Sequence, residues 1–318
     1  MVVFNTITMR KSIVYVLFLV SLSGYAQQNG YFSLSQYQMN MVNPAHAGVE
    51  ADKLFSIVSR NQWASIDDGP KTLAMSYSEA RNNNVGLGIS VISDQIFIEK
   101  QTLVTVDFSY KLKMYNEALL YLGLKGGMNS FQANTIPLTS YSNQSDPAQK
   151  DLSRLTPNIG VGLYYTHNNF WLSAALPRLF NAKRDEEIAL QAQDRVHTYI
   201  NIGRKIPLPA NLAVTPELIY RKASGIDPVV EGIIWGNYQE KVHLGVGFRT
   251  ASVVSLKFNV ALNEMFSFAY SYDTYGSERF SGLQLNAHEL GLTIRLKSKA
   301  GIEEQIKNET SEEDKAIE

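Results

Sequence analysis

Residues 102–113 read TLVTVDFSYKLK and alternate without a break. Val104, Val106, Phe108, Tyr110 and Leu112 fall on one face, while Thr105, Asp107, Ser109, Lys111 and Lys113 fall on the other. A period of two is the signature of a strand with one apolar and one polar face. The same alternation recurs at 72–77, 85–91, 254–262, 266–273 and 289–296. Extended along the chain it predicts about fourteen strands, near 53–60, 71–78, 84–92, 101–113, 118–130, 155–166, 170–177, 196–206, 212–221, 228–237, 241–249, 253–262, 265–273 and 288–296. Most have about nine or ten residues, enough to cross a bilayer at a tilt. Stretches 53–60 and 196–206 alternate poorly, and Pro216 stands inside a strand, where proline is unfavourable.

Loop lengths test this reading independently. Every second connection is short: 79–83, 114–117, 167–169, 207–211, 238–240 and 263–264. The others, 61–70, 93–100, 131–154, 178–195, 222–227, 250–252 and 274–287, are mostly longer, with 131–154 and 178–195 the longest. A soluble β-sandwich has no reason to sort its loops by parity, whereas a membrane barrel has short periplasmic turns and long external loops. The expectation is an all-β fold: a transmembrane antiparallel outer-membrane β-barrel of about fourteen strands, with both termini periplasmic. In hydrocarbon every backbone donor and acceptor needs a partner, so the sheet must close on itself. The apolar face then meets lipid. The inner face carries Asp107, Lys111, Lys113, Lys125, Glu217, Arg249, Lys257, Asp273 and Arg295, a mixture that predicts a hydrated lumen with internal ion pairs.

Composition narrows the picture. The chain has 318 residues and no cysteine, which excludes a disulfide scaffold, a thiolate metal site and an acylated lipoprotein anchor. Only 19% of positions are charged, against about 25% in soluble domains. A net charge of -1 is no footprint for nucleic acid. The ends differ from the middle. Arg10 and Lys11 precede a short apolar run, 12–22, and then Gly24-Tyr25-Ala26, so 1–26 reads as a secretory signal peptide too short to span a bilayer. Residues 27–52 form an N-terminal periplasmic segment or plug, 53–296 the barrel, and 297–318 a charged, flexible periplasmic tail.

Candidate chemistry is sparse. His46, His167, His197, His243 and His288 form no metal-binding spacing, and there is no nucleophile elbow or phosphate loop. Asp67-Asp68 is conceivable as a protease-like acid pair, but before Gly69-Pro70 it reads as a turn. The run 143–147 (NQSDP) offers oxygens to calcium but is equally a polar loop. Glycines 123, 126 and 127 mark strand bends or close backbone approach. No catalytic, cofactor or metal site is expected, and the chain does not read as an enzyme.

Two segments are more distinctive than barrel patterning. One runs from Gln36-Tyr37 to Asn43-Pro44-Ala45-His46-Ala47-Gly48 and mixes amides with aromatics ahead of the first strand. The other is Arg60-Asn61-Gln62-Trp63, followed by Gly69-Pro70; there Arg60 and Trp63 are expected to anchor at the interface or to fix the first external loop. With Asn84-Val85-Gly86-Leu87-Gly88 and His288-Glu289-Leu290, the pattern resembles the PorP/SprF family of type IX secretion system outer-membrane proteins of Bacteroidetes, over about residues 28–296. His46 departs from the aromatic expected there, and the tail after Leu296 departs from a chain that stops at its last strand. The resemblance implies a non-enzymatic barrel that helps a cognate protein with a C-terminal sorting domain, such as a gliding adhesin, to be secreted and held at the cell surface. It implies as partners the outer-membrane lipid, that surface protein and other type IX secretion components. A diffusion pore or specific transporter is the alternative that the polar lumen supports.

Overall fold

The structure, a computed structural model, describes residues 32–63, 68–81, 83–134, 152–179, 182–183, 193–194, 196–224, 227–250, 252–276 and 286–297. The signal segment 1–26, residues 27–31, the Asp67 half of the acid pair, run 143–147 and the tail beyond Lys297 lie outside the described residues.

The strands are β1 (Lys53–Gln62), β2 (Lys71–Ala80), β3 (Val85–Ile96), β4 (Glu99–Lys113), β5 (Leu119–Ala133), β6 (Leu152–His167), β7 (Phe170–Arg178), β8 (Ala182–Lys183), β9 (Gln193–Asp194), β10 (His197–Arg204), β11 (Ile206–Leu208), β12 (Leu212–Ala223), β13 (Val229–Tyr238), β14 (Val242–Arg249), β15 (Val253–Ala261), β16 (Phe266–Tyr275) and β17 (Asn286–Leu296). Each wall strand pairs antiparallel with its neighbours, β10 bridges β7 and β12, and β17 pairs with β1, so the sheet closes. Strands β10 and β11 both pair with β12 and are one wall strand broken at Lys205; β8 and β9 form a separate two-residue ladder. The wall is a closed antiparallel barrel of 14 strands. Closure leaves no free edge, as hydrocarbon requires. Among the described residues no helix is long and apolar enough to cross a membrane.

Burial alternates along the wall in the reverse sense to a soluble protein. Phe248 is 64% exposed and Ile234 63%, while Glu231, Asp273 and Glu289 on the inner face are 0% exposed. The two poorly alternating strands have physical causes. In β1 the inward positions include Leu54 and Val58, both buried, because Val58 packs on Phe32 and Met41 from the N-terminal segment. In the β10–β11 strand the ladder skips Arg204 and Lys205 opposite Thr215 and Pro216. The proline, which has no N–H, therefore faces the interrupted side of the ladder and stays in register with Ile234 on the other.

Turns separate the two ends of the barrel. At the end that holds Lys53 and Leu296, the turns at Asn168-Asn169 and Gln239-Glu240 have positive φ at both residues, the type I′ geometry that suits strand twist. The expected long connection at 93–100 is corrected: the β3–β4 ladder continues to Ile96↔Glu99, leaving only Phe97 and Ile98 as the turn.

Candidate functional site in the lumen

The inner wall surrounds residues 32–52. This segment folds as a 3-10 turn (Ser35–Tyr37), a one-turn helix (Met39–Val42) and a second 3-10 turn (Pro44–His46). Asn43 starts the last of these: its Oδ1 accepts from the Ala45 N–H at 2.9 Å, and Pro44 takes the first helical position, where a missing N–H costs nothing. The same Asn43 donates through Nδ2 to Leu163 O and to Ser173 Oγ, both at 2.8 Å, which ties the turn to β6 and β7. Leu34, Asn43 and Ala45 are each 0% exposed.

The segment climbs the lumen. Gly48, at φ +71, lies against Ala80 and Glu79 at the short-turn end; a Cβ there would approach Ala80 Cα to 2.9 Å, so only glycine suits both the space and the conformation. Ala47 O accepts from Ser109 Oγ at 2.6 Å. Higher up, Asn40 O accepts from Lys125 Nζ at 3.2 Å, and Lys125 pairs with Asp107 at 2.7 Å. Tyr37 meets Trp235 edge-on across the lumen. Leu34 completes an apolar cluster with Tyr37, Ile219, Ile233, Trp235 and Ala269.

At the upper end the wall grips main chain. Glu289 accepts from the Ser33 N–H at 2.8 Å and from the Leu34 N–H at 2.9 Å. Lys257 Nζ donates to Ser33 O at 2.8 Å. The Ser33 hydroxyl donates to Asp273 at 2.6 Å and accepts from Arg60 at 3.1 Å. Around it runs a chain of buried ion pairs: Arg60 with Glu289 and Asp273, both at 2.8 Å, Arg249 with Asp273 at 3.3 Å, and Lys257 and Arg221 with Glu231 at 2.8 and 3.0 Å. Buried charges persist only when paired and hydrogen-bonded, and here both signs are matched.

On the opposite wall, glycines let the segment approach the wall's main chain closely. A Cβ on Gly123 would lie 2.1 Å from Ala45 N, one on Gly86 2.0 Å from Ala47 O, and one on Gly162 1.9 Å from Asn43 Oδ1. These spacings leave room for hydrogen only. His46 meets the Tyr164 ring at a 44° tilt with centroids 4.1 Å apart, and neither ring nitrogen has a hydrogen-bond partner among the described residues. Burial pushes His46 down to about 3, so the ring is neutral and serves as the aromatic expected at this position.

The structure brings together several residues singled out by sequence. Asn43, Pro44, Ala45 and Gly48 form the lower half of the lumen contact. Arg60 is corrected: it does not anchor at the interface but points inward, 1% exposed, into the ion network. Asn61 faces outward, Gln62 is buried, and Trp63 donates its N–H to Asn286 O at 2.6 Å. Gly69 and Pro70 are buried, and Pro70 O accepts from the Gln62 N–H at 2.9 Å, so this group closes the top of the β1–β2 hairpin. The expected hydrated lumen is corrected where the segment lies: Lys125, Lys257, Asp107 and Asp273 are buried against it. Sequence reasoning missed Ser33, Glu231 and the grip of Glu289. Parity places Glu231 on the inner face together with Ile233 and Trp235, and that these two pack on Leu34 and Tyr37 of the segment is visible only in the fold. Among the described residues no group of acids and histidines is placed to hold a metal.

The family model described as type IX secretion system membrane protein PorP/SprF matches residues 24–294. No curated protein matches the chain. Among solved structures, the CymD monoaromatic hydrocarbon channel is similar at TM-score 0.50 and 11% identity, covering 87% of this chain and 95% of that one. The TodX deltaS2S3 mutant monoaromatic hydrocarbon channel gives TM-score 0.49 at 9% identity, covering 83% and 94%. The outer membrane protein Omp33 of Acinetobacter baumannii gives 0.46 at 8%, covering 78% and 100%. At these identities the likeness is one of fold.

Proposed function

Since the chain belongs to the PorP/SprF family of type IX secretion system membrane proteins and has an outer-membrane barrel fold, we propose that it helps a cognate exported protein with a C-terminal sorting domain, such as a gliding adhesin, to leave the cell and stay attached at its surface. The observation that supports this reading over a diffusion pore is the occupied lumen. Residues 32–50 touch β2 to β6 on one side and β12 to β17 on the other, held by packing and by hydrogen bonds from the buried, paired charges of the wall. A barrel so filled offers surfaces rather than a passage. We place the end holding Lys53 and Leu296 in the periplasm and the long connections outside, where 131–154 and 178–195 contribute to docking; most of both lies outside the described residues. Other type IX components and the surrounding lipid complete its set of partners. The motif residues Asn43 to Gly48, Arg60 to Trp63 and Gly69-Pro70 act in this reading as the frame that seats the segment.

The charged inner wall is what a transporter would also carry, so the test separates the two. Purified protein in a planar bilayer is expected to show no large steady conductance, and affinity purification from native outer membrane is expected to bring a large surface protein with it. A steady open-pore conductance with no bound surface protein overturns the reading in favour of a pore.

A further inference from the structure

The tip of the β3–β4 hairpin carries an aromatic residue at positive φ, as does the end of β1 at Trp63. Tight turns at the short-turn end place Asn83-Asn84, Asn168-Asn169 and Gln239-Glu240 at positive φ. Asparagine visits that region readily. At the opposite end the turn places Phe97 at φ +53. A two-residue turn with positive φ at its first central position calls for glycine, and a bulky side chain there is strained by about 1 kcal/mol or more. The strained ring is not tucked away: Phe97 is 56% exposed and the adjoining Ile96 38%. The turn is nevertheless held, because Ile98 O accepts from the Asn134 N–H at 3.1 Å beyond the end of β5.

Lipid does not account for the apolar tip. On β3 and β4 the outward apolar pairs end at Val91↔Val104. Above them come Ser93↔Thr102 and then Gln95↔Lys100, with Lys71 beside Gln95 and Gln132 beside Lys100. On the adjoining strands the exposed Leu73 and Leu155 carry the apolar band up to the level of Ser93↔Thr102, and from Ser93 to Phe97 is four residues, or roughly 13 Å along the strand at about 3.3 Å per residue. At a barrel tilt of about 40° that raises the ring roughly 10 Å above the apolar band. An apolar knob therefore stands on a polar stalk with two outward lysines, Lys71 and Lys100, and with Glu99 exposed on the inward-facing side next to the turn, on the long-loop side of the barrel.

We propose that Phe97, with Ile96, is a preformed anchor for the exported partner, and that it fills an apolar pocket with an acidic rim on that protein. The proposal rests on the surface-anchoring reading above. An exposed, rigidly held aromatic loses little entropy on docking, and such side chains dominate interface energetics. The lysine collar supplies charge complementarity to the rim.

Phe97→Asn tests this directly, because it fits the turn better than phenylalanine. The variant is expected to fold with heat resistance equal to or above that of the parent. The probe is the exported protein whose surface retention is lost in cells lacking this chain. Its retention is expected to fall about tenfold or more in Phe97→Asn, and to be largely restored by Phe97→Leu. Unchanged retention in a folded Phe97→Asn variant overturns the inference. Disulfide-linked dimers of a Phe97→Cys variant on intact cells also overturn it, in favour of self-association. If deleting the whole chain changes no surface protein, the anchoring reading itself fails, a separate outcome from failure of the tip alone.

Discussion

Removing the charge of Glu289 while keeping its shape should loosen the segment inside the barrel. Glu289→Gln leaves one carboxyl oxygen as a carbonyl and turns the other into a donor, which then faces either a backbone N–H or the Arg60 guanidinium. In the parent, Glu289 accepts from Ser33 N, Leu34 N and Arg60 Nη1 at 2.8, 2.9 and 2.8 Å. The Arg60 pair exists whether or not the segment is seated, and Arg60 keeps Asp273, so it largely cancels. The two bonds to the segment do not. Hydrogen bonds to charged groups contribute about 1.5–3 kcal/mol each and neutral ones about 1. Two charged bonds replaced by one neutral bond weaken seating by about 3 kcal/mol, or roughly 150-fold in the released population. The chain has no cysteine, so Met41→Cys, at a site 4% exposed beneath Phe32 and Val58, is a clean reporter. Maleimide labelling of the folded barrel in detergent should run about 100-fold faster when Glu289→Gln is added. A rate within twofold of the parent, with the barrel still resistant to heat in detergent, would refute the idea that these bonds hold the segment.

Three further outcomes follow from the lumen. Gly123→Ala should expel the lower half of the segment, because its Cβ falls 2.1 Å from Ala45 N, whereas Gly126→Ala, with no atom within 4 Å, should be silent; the same labelling assay compares them. Lys125→Met strands Asp107 among buried groups, and removing one partner of such a pair costs about 3–5 kcal/mol, seen as a lower urea midpoint or loss of the folded band. His46 makes seating depend on pH. Its value is lowered to about 3 in the lumen and returns to 6.5 when the segment is released, so released protein takes up the proton first. Seating is therefore at full strength above pH 6.5 and weakens below it by about 1.4 kcal/mol per unit until about pH 3, and His46→Phe should flatten that slope.

The parts of the fold legible in the sequence were those that a local period reveals. Strand β4 is read almost to the residue, because nothing apolar intrudes on its inner face around Thr105, Asp107 and Ser109. Strand β1 and the β10–β11 strand were hard to read for opposite reasons. The first carries apolar inward residues for the segment, and the second is interrupted where Pro216 faces it. The site was only half legible. Asn43-Pro44-Ala45 stands out as a turn start and Gly123 as a point of close backbone approach, but nothing local says that one meets the other, and Gly162 looks like an ordinary strand glycine. Arg60 is legible as a distinctive residue at the end of β1, expected at the interface or fixing the first external loop, but facing it inward requires the parity that Leu54 and Val58 obscure. The strain at Phe97 needs a backbone angle, and no residue pattern supplies one.

Arg60 and Glu289 are direct partners in the β1–β17 ladder, the seam where the first strand meets the last. Glu289 also holds Ser33, a contact spanning 256 residues. The earliest and latest parts of the barrel thus share one buried knot, which no partly made wall possesses. During insertion the lumen's charges have no complete set of partners until β17 zips against β1. Pairing β17 with β1 completes the group that holds Ser33, so closure of the wall and filling of its interior depend on the same residues. A chain truncated before residue 286 forfeits both together, whatever the quality of its remaining strands.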